Sequence, residues 1–206
     1  MIGIVDYGMG NLRSVFSAFD YLGADVTICT RPEQLKNIDK IVLPGVGAFK
    51  DCIGRLKQVG FVDQLNEAVL RDKKPVLGIC LGMQVMATHS YEGGVYEGLG
   101  WIDAEVIKLD PENKAVKKVP NIGWEMISYK SSSELFKGLS VSPDVYFVHS
   151  YYMKCKDESV VAASYEYDHT VTAAIQKGNI FATQFHPEKS QDVGLKILEN
   201  FISWNP

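Results

Sequence analysis

Pro75-Val76-Leu77-Gly78-Ile79-Cys80-Leu81-Gly82 is the stretch that decides the fold. Its first five residues run apolar without polar alternation, which is the pattern of a strand buried on both faces of a parallel sheet. The run then enters Gly78-Ile79-Cys80-Leu81-Gly82, a G-x-C-x-G elbow of the kind that turns a strand into a helix. Upstream, short apolar runs alternate with helical spacing in the same rhythm. Ile2 to Val5 precedes a helix with Leu12, Val15, Phe16 and Phe19; Val26 to Cys29 and Ile41 to Leu43 follow, then a helix with Phe61, Leu65 and Val69. That is the signature of an α/β parallel sheet with four strands in place by residue 79. Beyond Gly93, Gly94, Gly98 and Gly100 the runs come without long helices between them. They are Trp101 to Leu109, Val145 to Val148, Val160 to Tyr165, Val171 to Ile175 and Ile180 to Phe185. These predict antiparallel pairing, with Lys177-Gly178-Asn179 as a hairpin turn. A helix carrying Val193, Ile197, Leu198, Phe201 and Ile202 closes the chain. The expectation is one α/β domain over residues 1–206, a mixed sheet with an antiparallel C-terminal part.

Three segments carry chemistry. In the elbow, glycines flank Cys80 so that a strained turn fits, and the following helix offers N–H groups and a positive dipole end that favour a thiolate. The plainer reading of Cys80 is a small buried residue at a strand end. In Gln184-Phe185-His186-Pro187-Glu188, His186 and Glu188 lie two apart, on one face of an extended segment. A histidine there can take a thiol proton and return it to a leaving group, while the carboxylate fixes the ring tautomer. Taken alone, His-Pro-Glu also reads as a strand end with a salt bridge, and H-x-E opens a zinc deaminase signature whose later C-x-x-C this chain lacks. The third segment, Pro44-Gly45-Val46-Gly47, follows the Ile41 to Leu43 strand at the sheet edge where Cys80 emerges. Acyl transfer needs two donors for its oxyanion; the N–H of Leu81 and one from Val46 or Gly47 are the natural pair. An ordinary tight turn is the alternative.

Composition narrows the partners. A net charge of −4 and a pI near 5.6 give no basic footprint, so neither nucleic acid nor an anionic membrane surface is expected. No apolar run approaches the roughly 18 residues of a membrane span, and Met1-Ile2-Gly3-Ile4-Val5-Asp6 reads as a strand and not a leader. Cys29, Cys52, Cys80 and Cys155 are widely spaced, with no C-x-x-C pair, so no metal site is expected and a reducing cytoplasm fits. Cys29, Cys52 and Cys155 read as packing thiols, His89 and His169 as surface residues, and His149 as a support for its strand. Gly8-Met9-Gly10 resembles a nucleotide loop, but Arg13 stands where a third glycine is required.

With these segments in this order, the chain resembles the class I glutamine amidotransferases, and more narrowly the glutaminase subunits of imidazole glycerol phosphate synthase. The residues that carry the likeness are Asp6-Tyr7-Gly8-Met9-Gly10-Asn11, Leu43-Pro44-Gly45-Val46-Gly47-Ala48-Phe49, the elbow through Met83-Gln84, Pro120-Asn121-Ile122-Gly123-Trp124, Tyr146-Phe147-Val148-His149-Ser150-Tyr151 and Gln184-Phe185-His186-Pro187-Glu188-Lys189-Ser190. The resemblance implies a flavodoxin-like fold, a sheet flanked by helices. It also implies a Cys80, His186, Glu188 triad that releases ammonia from glutamine without a cofactor. By motif position, the Gln84 side chain and the backbone around Gly47, Ser150 and Tyr151 would hold glutamine, and Glu92 would pair with its ammonium group. The segment before Glu92, Ala87-Thr88-His89-Ser90-Tyr91, departs from the family's usual acidic run.

The same resemblance implies a partner. The fold uses the whole chain, so ammonia must pass to a separate protein, which in the family is a (β/α)8-barrel cyclase held as a heterodimer. That cyclase makes imidazole glycerol phosphate and an aminoimidazole carboxamide ribotide in histidine biosynthesis. Met9, Asn11, Trp124, Tyr146 and Lys189 match positions facing the barrel. A glutaminase serving another acceptor, such as a surface-polysaccharide sugar, is the alternative. One departure bears on the interface: the family usually reads Gly-Trp-Asn where this chain has Gly123-Trp124-Glu125, which sets a carboxylate beside the tryptophan that either stays solvated or, as expected here, meets a cation supplied by the partner.

Overall fold

The computed structural model describes residues 1–113 and 116–206. The first half supplies β1 (Ile2–Val5), α1 (Leu12–Tyr21), β2 (Val26–Cys29), β3 (Lys40–Gly45), α2 (Phe49–Val59), α3 (Phe61–Asn66), β4 (Val76–Cys80) and α4 (Leu81–Gln84). The second half is mostly strand: β5 (Ala87–Ser90), β6 (Tyr96–Glu97), β7 (Ile102–Lys108), β8 (Asn121–Met126), β9 (Ser128–Tyr129), β10 (Asp144–His149), β11 (Tyr151–Cys155), β12 (Val161–Glu166), β13 (Thr170–Lys177) and β14 (Ile180–Thr183). Helix α5 (Gln191–Ser203) follows.

Eight strands form the main sheet in the order β2-β1-β3-β4-β14-β13-β12-β9. From β2 to β14 every pair is parallel; from β14 to β9 every pair is antiparallel. The central strands are buried throughout, and their side chains divide by the period of two between two apolar layers. Ile2, Ile4, Val42, Leu77 and Ile79 join one layer with Val15 and Phe19 of α1 and Ile197, Leu198 and Phe201 of α5. Val5, Ile41, Leu43 and Val76 join the other with Phe49 and Leu56 of α2 and Phe61 and Leu65 of α3. Lys40, buried at the start of β3, ties the two ends of the chain together. Its Nζ donates to the carbonyls of Phe201, Ile202 and Trp204, so a side chain 161 or more residues away caps the last turn of α5.

The parallel first half is as the periodicity predicts, and Gly178 takes φ 55° in the expected hairpin. Three features differ. The later strands do not all join one sheet: β8 and β10 pair in a two-stranded sheet, and β11, β7, β5 and β6 form a third. Strand β14 is antiparallel only to β13, and on its other side it lies parallel to β4, so it sits in the middle of the main sheet. Finally, the helix after the elbow is a single turn, α4, giving way to β5 at Ala87. Its dipole is correspondingly small.

Candidate active site

Cys80 ends β4 with φ 54° and ψ −108°, a backbone state that costs energy for a residue with a Cβ. The neighbouring glycines make the turn fit by close approach. A Cβ on Gly82 would lie 1.8 Å from the Leu43 carbonyl oxygen, and one on Gly45 would lie 2.8 Å from the Gly82 nitrogen. The elbow is thus pressed against the end of β3, which brings the Pro44 to Gly47 loop beside Cys80.

His186 approaches from β14, the next strand. That strand ends at Thr183, and His186 opens a 3-10 turn over Pro187–Lys189, so His186 and Glu188 do not alternate along a strand as their spacing suggests. The turn brings Nδ1 within 2.8 Å of Glu188 Oε1, with the two side chains 2% and 0% exposed. Because an ionised carboxylate only accepts, Nδ1 carries the proton. Nε2 then has no hydrogen-bond partner among the described residues and stands beside the Cys80 thiol. Burial disfavours charge on this ring, but its interactions with Cys80 and Glu188 outweigh that and raise its pKa to about 10.

Cys80, His186, Val46, Gly47, Leu81, Gln84, Glu92, Val148, His149, Ser150 and Tyr151 line one cavity of about 350 Å³. A roomier groove of about 570 Å³ near Tyr129, Tyr152 and Cys155 has no histidine among its lining residues. The smaller space brings a thiol and a histidine together.

Residues 3–204 match the glutamine amidotransferase class-I family. The chain belongs to that family. Among curated relatives, it is 50% identical to "Imidazole glycerol phosphate synthase subunit HisH 1" of Campylobacter jejuni strain RM1221, covering 98% of this chain and 99% of the relative. It is 48% identical to the HisH subunit of Geobacter sulfurreducens, covering 97% of each chain. Two solved structures share the fold. A putative GMP synthase protein from Thermoplasma acidophilum aligns with TM-score 0.73 at 24% identity, over 98% of this chain and 92% of that one. PurLQS from Thermotoga maritima aligns with TM-score 0.75 at 17% identity, over 98% and 97%.

Several residues expected in this amidotransferase's pocket are already engaged. The Gln84 amide nitrogen donates to the Tyr151 carbonyl at 2.8 Å and to Gln184 Oε1 at 3.0 Å, which leaves only its carbonyl oxygen to offer. His149 Nδ1 reaches the same Tyr151 carbonyl at 2.8 Å, so that carbonyl is not free for a ligand. Glu92 lines the cavity, with Oε2 accepting from the N–H of Phe49 at the start of α2 at 2.7 Å.

Residues expected at a partner surface fall in two groups, each tied to a residue that lines the cavity. Lys189 Nζ lies 5.9 Å over the Tyr146 ring, which meets Trp124 edge-on at 5.8 Å. The Tyr146 carbonyl also accepts from the N–H of His186. On the other side, Met9 Cε lies 3.0 Å from where a Gly47 Cβ would be, and Asn11 sits at the N-cap of α1 without a side-chain cap bond. Glu125 corrects the sequence reading. In β8 the side chains of Ile122, Trp124 and Met126 are exposed, and Glu125 pairs across the ladder with buried Val145, on the face opposite Trp124. It therefore sets no charge beside the tryptophan.

Sequence reasoning missed two parts of the site. One is Gln184, fully buried, whose Nε2 lies 3.6 Å from Cys80 Sγ; its spacing of two from His186 was the available signal. The other is a relay behind His149. Since Nδ1 must donate to a carbonyl, Nε2 accepts from the Tyr165 hydroxyl at 2.8 Å, and that oxygen accepts from Asn121 at 3.2 Å. Nothing in the sequence joins positions 121, 149 and 165.

Proposed function

We propose that the chain, as one glutaminase domain over residues 1–206, hydrolyses glutamine to glutamate and ammonia on Cys80. It acts as the glutaminase subunit of imidazole glycerol phosphate synthase and passes ammonia to a (β/α)8-barrel cyclase. The observation that carries the chemistry is the unpartnered His186 Nε2, buried beside an elbow cysteine with Glu188 fixing the ring from behind. The raised affinity of His186 for a proton places the Cys80 proton on its ring, and the sulfur so freed attacks the side-chain amide carbon. The tetrahedral oxyanion is met by the N–H of Leu81, which as the first residue of a helix has no intrahelical acceptor, and by an N–H at Val46 or Gly47. His186 then protonates the departing nitrogen, ammonia leaves, and a thioester remains. Water, deprotonated by the same ring, hydrolyses it to glutamate and frees the sulfur.

The remaining oxygen of Gln84, the backbone at Gly47 and Ser150 and the N–H of Tyr151 hold the substrate, and Glu92 pairs with its α-ammonium group. Met9, Asn11, Trp124, Tyr146 and Lys189 meet the cyclase, whose docking covers the cavity mouth so that ammonia passes inward and not to bulk water. The exposed apolar side chains of Ile122, Trp124 and Met126 support that surface. The subunit names of relatives about 50% identical support the pathway. No helix among the described residues is long and apolar enough to cross a membrane, and four unpaired thiols suit the reducing cytoplasm we assign to it.

The test is Cys80→Ala in the complex with the cognate cyclase. Glutamine-dependent synthesis of imidazole glycerol phosphate should be abolished, and synthesis from added ammonium salt should persist at close to the wild-type rate. Wild-type glutamine hydrolysis that a cyclase fails to stimulate, or that yields no imidazole product, would point to another acceptor.

A further inference from the structure

We infer that Gln184 is a catalytic residue that donates an amide N–H to the Cys80 sulfur and stabilises it as a thiolate. The inference rests on the proposed role of Cys80 as nucleophile. The orientation of the amide follows from a chain of bonds that begins at a group with only one role. The Tyr151 carbonyl can only accept, so the Gln84 atom 2.8 Å from it is nitrogen. That nitrogen also donates to the nearer atom of the Gln184 amide at 3.0 Å, which must be oxygen. The nitrogen of Gln184 is therefore the atom that faces Sγ, at 3.6 Å.

The sulfur lies between opposed groups. The Val148 carbonyl, 3.9 Å away, suits an S–H and repels a negative sulfur; the Gln184 N–H does the reverse. His186 gives up its proton during each turnover, whereas a neutral amide keeps its own. When the thioester collapses and the sulfur departs with the electron pair, Gln184 is the donor already in place. Its complete burial and its bond from Gln84 hold the amide without rotation.

The experiment follows iodoacetamide alkylation of Cys80 from pH 5 to pH 10 in the full chain, read by peptide mass so that Cys29, Cys52 and Cys155 are scored separately. Gln184→Met keeps the unbranched shape and removes the donor. Alkylation at pH 7 should fall about tenfold and converge with wild type at the alkaline end, the pattern of a lost charge-assisted bond. Superimposable profiles, or the same loss at every pH, would overturn the inference, because packing or access would then explain Gln184. Gln84→Met provides a second arm should Gln184→Met fail to fold. It leaves the Gln184 amide present but no longer aimed, and should give a smaller shift in the same direction; no shift overturns the idea. A wild type that labels at Cys80 and consumes glutamine, beside an unchanged Gln184→Met profile, sinks this inference alone. A wild type that does neither, with the cognate cyclase bound, sinks the glutaminase reading.

Discussion

His149 has both ring nitrogens bonded to uncharged groups, whereas His186 lies between a carboxylate and a thiol, and their titrations separate accordingly. Burial is the largest influence on His149; the Tyr151 carbonyl opposes it only in part, and the pKa falls to about 4. An unfolded chain takes up this proton near pH 6.5, well before the native protein does, so stability present above about 6.5 is lost as pH falls toward 4. The share due to this ring is at most about 3 kcal/mol. In His149→Gln the melting temperature should hold steadier between pH 6.5 and 4; an acid limb as steep as the wild type's would clear His149 of responsibility. His186 and Glu188 should differ in severity, because one moves the proton and the other orients the mover. Loss of His186 should cost kcat about 10²–10⁴-fold or more, and Glu188→Gln should cost less. Equal losses at saturating glutamine, with the fold checked by circular dichroism, would contradict that division. The residues of the proposed triad were legible because each sits in a short motif with its own chemistry. The relay through Tyr165 and Asn121 was not, because only tertiary packing brings those positions together.

At the scale of elements, the elbow depends on how closely β4 and α4 press against β3. Gly82→Ala would place a methyl group 1.8 Å from the Leu43 carbonyl oxygen, a backbone atom that cannot yield. Gly78→Ala would first meet Met86 Cε at 2.6 Å, the end of a flexible side chain, with Ala182 Cβ and the Gly82 oxygen both at 3.0 Å. Urea unfolding should show Gly82→Ala destabilised by about 3 kcal/mol or more and Gly78→Ala by about 1 to 2. The reverse order would mean that the turn relaxes more easily than the geometry implies. Strands β1, β3 and β4 were readable because burial on both faces leaves long apolar runs. Strand β8 was not, since its apolar residues Ile122, Trp124 and Met126 face outward and mimic a loop. Strand β11, Tyr151-Tyr152-Met153-Lys154-Cys155, has no clean alternation to read, with only Tyr152 and Met153 fully buried.

Across the whole molecule, the Lys40 cap joins an early strand to the last helix. Lys40→Met would fill the same space and leave the final carbonyls of α5 without that donor. We expect a loss of about 2 kcal/mol. By differential scanning calorimetry that corresponds to a melting temperature lower by about 4 to 8 °C. An unchanged melting temperature would show that solvent replaces the cap at no cost. The position of β14 between β4 and β13 has a consequence for synthesis on the ribosome. While the chain emerges, the strand carrying Cys80 can pair with β3, but its other edge stays open until residues 180–183 arrive more than a hundred positions later. Throughout that interval the nascent protein exposes an apolar strand edge, a target for chaperones and for mispairing with neighbouring chains. It also holds the proposed nucleophile without its proposed base, because His186 and Glu188 follow β14. On the proposed chemistry, translation makes the cysteine first and its activator last, so an unfinished chain lacks what it needs to consume the cell's glutamine.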